Sequence, residues 1–417
     1  MRFIHAADIH LDSPLTGLAA YADAPAQLLR TATRDAFANL VTVAVEEKVD
    51  FMVIAGDLYD GNWKDFNTGI FFVRQMGRLK LAGIPVYLLY GNHDAESEMT
   101  KTLTLPDNVH RFPSKQAATF TLPALKVALH GRSFKDAATL ENLALGYPDP
   151  LEGWFNIGVL HTALEGNAAH ANYAPCSIAE LEARGYQYWA LGHVHEYRVW
   201  RGASVIAFPG NLQGRHIREP GPRGALMVSV EGGDITDIER LHVDVLRWHA
   251  LDVDVAGAAS MAEALRMTGR GLEQLVGETG AVPLAVRVTL TGATPAHGEL
   301  FGLESQLRAE VLAQAAVIGS ERLWIEKVRL GTSPQLLATD LSARSDAVAD
   351  LQALLLKAEF DPVFMQSLED DLMQLVGKLP LEVIAALPSV AAVREGHTDS
   401  LVRSIGPALL DHVAKAG

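Results

Sequence analysis

Short apolar runs recur along the first half of the chain, and each ends abruptly in polar residues. The runs are only a few residues long and rich in β-branched and aromatic residues, which is typical of strands buried on both faces of a sheet. They are RFIHAADIH, FMVIAGDLYD, PVYLLYGNHD, NIGVLHT and YWALGHVH, which begin at Arg2, Phe51, Pro85, Asn156 and Tyr188.

Helical periodicity fills the chain between several of these runs. Residues 26–48 and 67–82 carry apolar side chains three and four positions apart, and Gly83 is placed to end the second helix. The alternation of strand and helix predicts an α/β fold with parallel strands. Because α/β sheets bind ligands beyond the carboxyl ends of their strands, the polar residues that follow each run form the candidate site.

These polar residues are of the types that bind metal ions. Five of the fifteen histidines directly follow an apolar run, namely His10, His93, His161, His193 and His195. Residues two apart in extended backbone point to the same side, so His193 and His195 are paired. Each cluster alone could cap a helix or form a turn. Together they predict nitrogen and oxygen donors that converge at one edge of a sheet.

The donor types indicate which ions would bind. Asp, His and Asn without a thiolate suit manganese, iron or magnesium better than a cysteine-rich structural zinc site. Seven ligand-type residues among those that follow the runs are too many for one tetrahedral ion and indicate two ions that share a carboxylate. Asp57, on a tight turn behind Gly56, is the natural bridge.

Composition bounds the class of protein. The 417 residues are 49% hydrophobic and 20% charged, an ordinary balance for a globular chain of two or three domains. No apolar run is long enough to span a membrane, and the first residues do not resemble a signal peptide. The single cysteine, Cys176, excludes an internal disulfide and suits a reducing compartment, so we expect a cytoplasmic protein.

The net charge of −15 has the wrong sign for a typical nucleic-acid binder. Either the ligand is not a polyanion, or local cations, bound metal ions included, outweigh the overall charge. The segment GRHIREPGPRG supplies the best candidates for contact with substrate phosphates, Arg215, His216 and Arg218. An ordinary solvated arginine loop is the alternative interpretation.

The remainder of the chain predicts further elements. Two hairpins, with turns near Gly202 and at Gly232-Gly233-Asp234, predict a second, largely antiparallel sheet that faces the first. Three strand-like runs with helices at 258–277 and 298–315 predict a small α/β domain, and TSPQ at 332–335 predicts a linker. The sequence therefore divides into domains at 1–245 and 246–331 and a helical region at 335–417.

The ordered clusters resemble the five signatures of the calcineurin-like metallophosphoesterases. They are Asp8-x-His10, Gly56-Asp57-x-x-Asp60, Gly91-Asn92-His93-Asp94, His161 and Gly192-His193-x-His195, and the resemblance covers roughly residues 1–215. Within this superfamily, ADIHLDSPL and FPGNLQGRHIREPGPRG resemble DNA-repair exonucleases of the SbcD type, in particular the YhaO-like branch. The implied fold is an α/β metallophosphoesterase sandwich of two β-sheets flanked by helices, followed by a small α/β capping domain and a helical C-terminal region.

The resemblance also implies roles for individual residues. One divalent ion would be held by Asp8, His10, Asp57 and His195, and the other by Asp57, Asn92, His161 and His193. Manganese is the first expectation, with magnesium, iron or zinc as alternatives. His93 would face the scissile phosphate, where it stabilises charge or protonates the leaving oxygen, and Asp94 would orient it. Some nucleases of this family carry histidine at the position of Asp60, so Asp60 receives no role.

The implied activity is hydrolysis of DNA phosphodiesters, as an exonuclease and also as an endonuclease, in repair or recombination. A phosphodiesterase or phosphatase for small molecules or proteins is the alternative. A non-catalytic scaffold would be expected to have lost ligands, and none is missing here. The implied partners are DNA, a coiled-coil ATPase of the SMC-like type that docks on the C-terminal region, and a second copy of the chain.

The C-terminal region carries the pattern on which such docking would depend. Acidic residues outnumber basic ones twelve to six over residues 335–417. Apolar residues recur three and four apart at Leu351, Leu354, Leu355, Phe364, Met365, Leu368, Leu372, Leu375 and Val376. An amphipathic helix of this kind either packs on its own chain or enters the groove of a partner.

Overall fold

The computed structural model describes residues 1–18, 25–60, 66–96, 103–165, 173–319, 321–335, 347–358 and 360–378, with scattered residues between 390 and 409. The chain divides into two compact units. The first comprises Met1–His249 and Ala281–Ala285, and the second comprises Ala250–Gly280 and Val286–Gly417. None of the helices in the described residues has the length and apolar character that a membrane span requires.

Twelve strands in the described part of the first unit form two six-stranded sheets. The strands are β1 (Arg2–Ala6), β2 (Phe51–Ala55), β3 (Val86–Leu89), β4 (Val109–Arg111), β5 (Ala118–Leu122), β6 (Val127–Gly131), β7 (Phe155–His161), β8 (Tyr188–Gly192), β9 (Arg198–Arg201), β10 (Val205–Phe208), β11 (Gly224–Glu231) and β12 (Asp234–His242). The first sheet has the order β12-β11-β1-β2-β3-β4, and the second has the order β5-β6-β7-β8-β10-β9.

Helices lie against the outer face of each sheet. They are α1 (Ala26–Glu46), α2 (Phe66–Leu81), α3 (Asn92–Glu96), a 3₁₀ helix (Leu143–Gly146) and α4 (Ile178–Glu182). Helices α1 and α2 pack on the first sheet through residues such as Phe37 and Phe72. The 3₁₀ helix and α4 pack on the second sheet, and α4 begins with the capping box of Ser177 and Glu180. This sandwich of two sheets flanked by helices confirms the α/β prediction.

The central strands are largely apolar because both of their faces are buried, and a buried exception, His5 in β1, is hydrogen-bonded to the hydroxyl of Tyr188. In β1, Phe3 points between the two sheets and Ile4 points toward α1 and α2. In β8, Tyr188 points between the sheets and Trp189 points toward the outer layer of the second sheet. Alternate residues of a strand face opposite sides. A largely apolar run is therefore the pattern that is typical of a doubly covered strand.

The two predicted hairpins form, but the sheet predicted from them was wrong. Strands β9 and β10 pair as a hairpin at the edge of the second sheet, whereas β11 and β12 complete the first sheet, where β11 pairs antiparallel with β1. The second sheet is mixed, because β6, β7, β8 and β10 run parallel. The local pattern predicts a hairpin, but it cannot choose between two sheets that both offer a free edge.

The second unit is built around a three-stranded sheet of order β13-β14-β15. Its elements are β13 (Arg247–Asp254), α5 (Met261–Thr279), β14 (Leu284–Thr294), α6 (His297–Leu300), α7 (Glu304–Gly319), β15 (Leu323–Pro334), α8 (Ala347–Ala358) and α9 (Pro362–Val376).

Two boundaries in this unit differ from the sequence prediction. The single helix predicted over 298–315 is divided into α6 and α7, because Gly302 adopts φ +75° between them. The linker predicted at 332–335 was also wrong, since β15 continues to Pro334. β15 lies at the edge of its sheet, where a proline that lacks an N–H group is tolerated.

Candidate metal centre

The clusters of ligand-type residues meet at one end of the two sheets. Asp8 and His10 follow β1, Asp57 follows β2, and Asn92 follows β3 at the start of α3. These strands are parallel neighbours in the first sheet. His161 ends β7 and His193 follows β8, which are parallel neighbours in the second sheet. The edge of a single sheet expected from the sequence was therefore wrong, because the two sheets contribute opposite sides of the site.

Asp57 lies at the centre of this arrangement. Its side chain is only 2% exposed, and its Oδ2 lies 3.4 Å from Nε2 of His161 and 3.9 Å from Nε2 of His10. Its Oδ1 accepts the backbone N–H of His93 at 3.0 Å. Burial alone would raise the pKa of Asp57, but the charge of His161 and its hydrogen bond to the carboxylate, with His10 and His93 close by, hold that pKa well below the usual range. Asp57 is therefore an anion faced by histidines from both sheets.

One group of candidate ligands joins Asp8, His10 and His195, whose donor atoms all lie within 4.8 Å of one another. The Nε2 atoms of His10 and His195 are 3.2 Å apart. Both carboxylate oxygens of Asp8 accept the backbone N–H of His193 at 3.0 Å, which links the loop after β1 to the loop after β8. Burial and the nearby Arg215 lower the pKa of His10 to about 3, so its imidazole is neutral.

A second group joins Asp57, His161 and His193, again within 4.8 Å. Nδ1 of His161 lies 3.0 Å from the carbonyl oxygen of Ala55, and its Nε2 lies 3.0 Å from Oδ1 of Asn92. The hydrogen bond to Ala55 requires a proton on Nδ1, so Nε2 is the atom turned toward the centre. Burial opposes a charge on His161, yet the adjacent Asp57 raises its pKa above the usual value.

This donor set fits a pair of divalent ions. The candidate ligands are imidazole nitrogens and carboxylate or amide oxygens, all buried except the partly exposed His195, with Asp57 between the two groups. Nδ1 of His195 lies 2.7 Å from the carboxylate of Glu219, so the Nε2 of a neutral His195 carries a lone pair and faces the neutral His10. A divalent cation bound to these two nitrogens and to the nearby carboxylates would relieve their close approach.

The backbone at the site adopts conformations that are rare for residues with side chains. Positive φ angles occur at Asp8 (50°), His10 (45°), Asp57 (52°) and His193 (102°). Such conformations are destabilising by about 1–3 kcal/mol each and are typical of functional sites. Four of the seven candidate ligands are thus held in strained turns at the ends of strands.

Glycines allow the loops to approach the ligands closely. A Cβ atom at Gly91 would lie 2.3 Å from Oδ1 of Asp57, and a Cβ atom at Gly192 would lie 2.0 Å from the carbonyl oxygen of Ala55. Contacts this short are not tolerated, so neither position accepts a side chain in this conformation. The glycines that precede the candidate ligands are required by packing around the metal centre.

His93 is the most exposed histidine of the site, with 40% of its side chain accessible. Its ring lies 5.0 Å from that of His10, edge to face. Its Nδ1 lies 3.5 Å from Oδ1 of Asp60, and the same oxygen lies 3.4 Å from Nδ1 of His10. The carboxylate of Asp60, to which the sequence analysis assigned no role, therefore lies beside the ring of His93.

Asp94 is fully buried, and its carboxylate accepts the backbone N–H groups of Leu58, Tyr59 and Gly91 at 2.9–3.1 Å. These bonds connect the loop after β2 to the loop after β3. Burial and the neighbouring Asp57 raise the pKa of Asp94 to about 7. The resemblance assigned Asp94 to the orientation of His93, and the contacts above join Gly91, two residues before His93, to the loop after β2.

The candidate phosphate-binding residues of the arginine loop lie in different environments. Arg215 is largely buried, with its guanidinium 3.7 Å from Asp60, 3.6 Å from Glu219 and 3.2 Å from Oγ of Ser13. His216 is half-buried, and Arg218 is exposed. Only Arg218 and His216 are therefore open to a substrate outside the site, whereas Arg215 lies among the residues that surround it.

Glu219 is the residue that the sequence analysis did not single out. It stands in the same arginine loop, is 6% exposed, and contacts His195. The basic residues around Glu219 in the sequence do not by themselves predict a metal site. The signal available in the sequence was a single acidic residue in an otherwise basic loop near the signature histidines.

Two family models match the chain. The model described as calcineurin-like phosphoesterase matches residues 1–197, which include both groups of candidate ligands and His93. The model described as metallophosphoesterase YhaO, middle domain, matches residues 248–333.

The chain is also similar to curated relatives. It is 35% identical over 300 residues to the metallophosphoesterase YhaO of Bacillus subtilis (strain 168), which covers 71% of this chain and 72% of the relative. It is 28% identical over 246 residues to the DNA double-strand break repair protein Mre11 of Sulfurisphaera tokodaii, which covers 56% and 62%. It is 27% identical over 321 residues to Mre11 of Methanopyrus kandleri, which covers 68% and 66%.

Proposed function

The chain belongs to the calcineurin-like phosphoesterase family, and from that membership we propose that it is a two-metal phosphodiesterase that hydrolyses DNA in repair or recombination. The proposed activity includes exonucleolytic and endonucleolytic cleavage. The observation that carries the proposal is the buried Asp57 carboxylate, which stands between His10 and His161 with the exposed His93 beside it.

We assign the residues as two overlapping sets of ligands. Asp8, His10, Asp57 and His195 would hold one ion, and Asp57, Asn92, His161 and His193 would hold the other. We propose manganese as the native metal, because the donors are nitrogen and oxygen without a thiolate. When bound, a pair of divalent ions supplies Lewis acidity to a phosphoryl group and activates a water molecule for in-line attack.

His93 is proposed as the group that acts on the substrate. Its exposed imidazole can donate a hydrogen bond to a phosphoryl oxygen or a proton to the departing oxygen. The hydrogen bond from the backbone N–H of His93 to Asp57 fixes the position of the His93 backbone. The carboxylate of Asp60 lies 3.5 Å from Nδ1 of the His93 ring. The other ring nitrogen, Nε2, is therefore the atom available to the substrate.

DNA is proposed as the substrate on two grounds. Two of the relatives are named as DNA double-strand break repair proteins. In addition, Arg218 and His216 provide accessible groups on the loop that also carries Arg215, and such groups bind phosphates. Because the chain has a net charge of −15, this local contact would have to act against the overall field.

The test is hydrolysis by the full-length chain with added Mn²⁺. Labelled linear duplex, single-stranded and hairpin DNA are compared with bis-p-nitrophenyl phosphate. Asp57→Asn should abolish all cleavage, while the matched control Asp107→Asn, an exposed carboxylate paired with Lys80, should not. Hydrolysis of the small ester without cleavage of any DNA would favour a small-molecule or protein phosphate as substrate. If the wild-type chain hydrolysed none of these substrates, a non-catalytic scaffold would be favoured.

We also propose that a coiled-coil ATPase of the SMC-like type docks on the helices near the C terminus. On α8, Leu354 is 67% exposed, and on α9, Val363 is 78% exposed and Leu375 is 61% exposed. Val376, in contrast, is buried beside Val393. Part of the apolar stripe thus packs on the chain itself, and part is accessible to a partner groove that receives helical anchors.

A further inference from the structure

Glu219 occupies a position where its hydrogen-bonding neighbours are donors. Its Oε1 lies 2.7 Å from Nδ1 of His195. Its Oε2 accepts the Nδ2 amide of Asn211 at 2.9 Å and the backbone N–H of Arg215 at 2.8 Å. The side chain is 8% exposed, so these contacts are shielded from water. A carboxylate, which only accepts, is matched to this environment.

The orientation of Asn211 is itself fixed. Its Oδ1 accepts a hydrogen bond from the guanidinium of Arg223 at 3.2 Å, and the same guanidinium also donates to the carbonyl oxygen of His195. Since Arg223 can only donate, the amide oxygen of Asn211 must face it, and the amide nitrogen must face Glu219. Arg223 is buried, so this arrangement of hydrogen bonds is shielded from water.

The consequence for His195 follows from the two nitrogens of its ring. Glu219 can accept but cannot donate, and at 2.7 Å it lies closer to Nδ1 of His195 than the donor Nη2 of Arg215 at 3.4 Å, so Nδ1 carries the proton of the hydrogen bond to Glu219. In a neutral imidazole the other nitrogen then has the lone pair. That nitrogen, Nε2, lies 3.2 Å from Nε2 of His10 inside the first group of candidate ligands.

We infer that Glu219 is a positioning residue for the metal centre, which holds His195 in the tautomer and the orientation that present Nε2 to an ion. This inference rests on the proposed function. A carboxylate behind a histidine ligand fixes its ring and increases its basicity, and removal of such a group typically weakens metal binding about 10–100-fold. The group containing His195 should be affected, and the group of Asp57, His161 and His193 should not.

Substitution of Glu219 by glutamine separates this role from packing. The amide has the same shape, but it carries one donor group where the carboxylate has two acceptors. If its NH₂ faces His195, the ring must accept at Nδ1 and carries its proton on Nε2. If its NH₂ faces Asn211 and Arg215, this donor group opposes the two N–H donors of those residues, and both hydrogen bonds are lost. The first arrangement removes the lone pair required for metal binding, and the second loosens the loop that holds the ring.

A matched control is available in the second unit. The side chain of Glu326 is also 8% exposed, and it pairs with the guanidinium of Arg287, with one carboxylate oxygen 2.6 Å from Nε. Glu326→Gln therefore removes a buried, paired carboxylate of the same kind that belongs to none of the groups of potential metal ligands found in the described residues. Thermal unfolding of both variants measures any general loss of stability.

The first measurement is titration of the metal-free full-length chain with Mn²⁺. The wild type should bind two ions. Glu219→Gln should bind one of them about 10–100-fold more weakly and retain the other. Glu326→Gln should match the wild type. Glu219→Asp retains an acceptor, so it should keep more of the affinity than Glu219→Gln.

The second measurement does not require metal. Nitrogen-15 spectra of labelled histidines in the metal-free chain, assigned with His195→Gln, should show the proton on Nδ1 of His195 in the wild type. In Glu219→Gln the proton should shift to Nε2 or divide between the two nitrogens, and in Glu219→Asp it should stay on Nδ1.

Two results would overturn the inference. One is a Glu219→Gln variant that binds both ions with wild-type affinity and keeps the proton on Nδ1. The other is an equal loss of both ions in Glu219→Gln and Glu326→Gln, in proportion to a lowered Tm. A wild type that binds fewer than two ions would instead contradict the proposed function, and the metal-free spectra would still decide whether Glu219 fixes His195.

Discussion

Oδ1 of Asp60 lies 3.5 Å from Nδ1 of His93, at the boundary between the buried and the exposed parts of the site. The same oxygen lies 3.4 Å from Nδ1 of the buried His10. Burial would raise the pKa of Asp60, but His10 and Arg215 hold it below the usual range. Asp60 is therefore an anion that can orient His93 and stabilise a positive charge on its ring.

Asp60→Asn should consequently lower kcat while both ions are retained. The loss of a charged hydrogen-bonding partner corresponds to about 1.5 kcal/mol, or about tenfold in rate. The measurement is kcat and KM for bis-p-nitrophenyl phosphate beside the metal content of the purified variant. Asp107→Asn is the control. Loss of an ion in Asp60→Asn would instead make Asp60 a ligand.

His93→Ala should preserve the fold and both ions and lose most of the rate. The expected decrease is about 10²–10⁴-fold, the range of general acid–base assistance. The reason is that His93 is exposed and shares a group of potential ligands only with His10 and Asp60, outside the two groups that contain Asp8 or Asp57. His161→Ala serves as the comparison, because it should lose an ion. Equal loss of metal in both variants would contradict this division of roles.

Asp57→Asn should weaken the binding of both ions rather than one. Its carboxylate faces His10 on one side and His161 on the other, so neither set of ligands is complete without it. Elemental analysis and Mn²⁺ titration of the variant, with Asp8→Asn as a one-site comparison, provide the measurement. A single tightly held ion that is unaffected by Asp57→Asn would exclude the bridging role.

Arg215→Ala and Arg218→Ala should differ. Arg215 lies between Asp60 and Glu219, so its removal should reduce cleavage of DNA and of the small phosphodiester alike. Arg218 is exposed, so its removal should weaken DNA binding only and reduce the salt dependence by up to about one unit of slope. Binding at several salt concentrations and hydrolysis of both substrates distinguish the two. Identical profiles would show that the loop acts as one element.

Charged substitutions on α8 and α9 should abolish binding of the proposed coiled-coil ATPase and leave the proposed nuclease activity on short single strands intact. Leu354→Asp and Val363→Asp alter exposed side chains, so the fold should tolerate them. Val317→Asp on α7, which is 89% exposed, is the matched control. Co-purification with the ATPase is the measurement. Undiminished co-purification of both variants would place the docking surface elsewhere.

The sequence by itself indicated most of the elements and the residue types of the candidate site. A strand covered on both faces is largely apolar, as in β2, so the end of that run was visible where polar residues follow it. Parallel strands end on the same side of a sheet, which made Asp8, Asp57 and Asn92 neighbours before any contact was known. The capping box at Ser177 is equally local, since both partners lie within one turn.

Only the tertiary structure decided which elements meet. Hairpins β9–β10 and β11–β12 have similar local patterns, and their allocation to different sheets depends on which strand edge remains free. The contacts of Glu219 with His195, and of Asp60 with His93, join residues 24 and 33 positions apart across separate loops. Periodicity reports burial along one element, whereas such contacts depend on the packing of several elements at once, and so no local pattern encodes them.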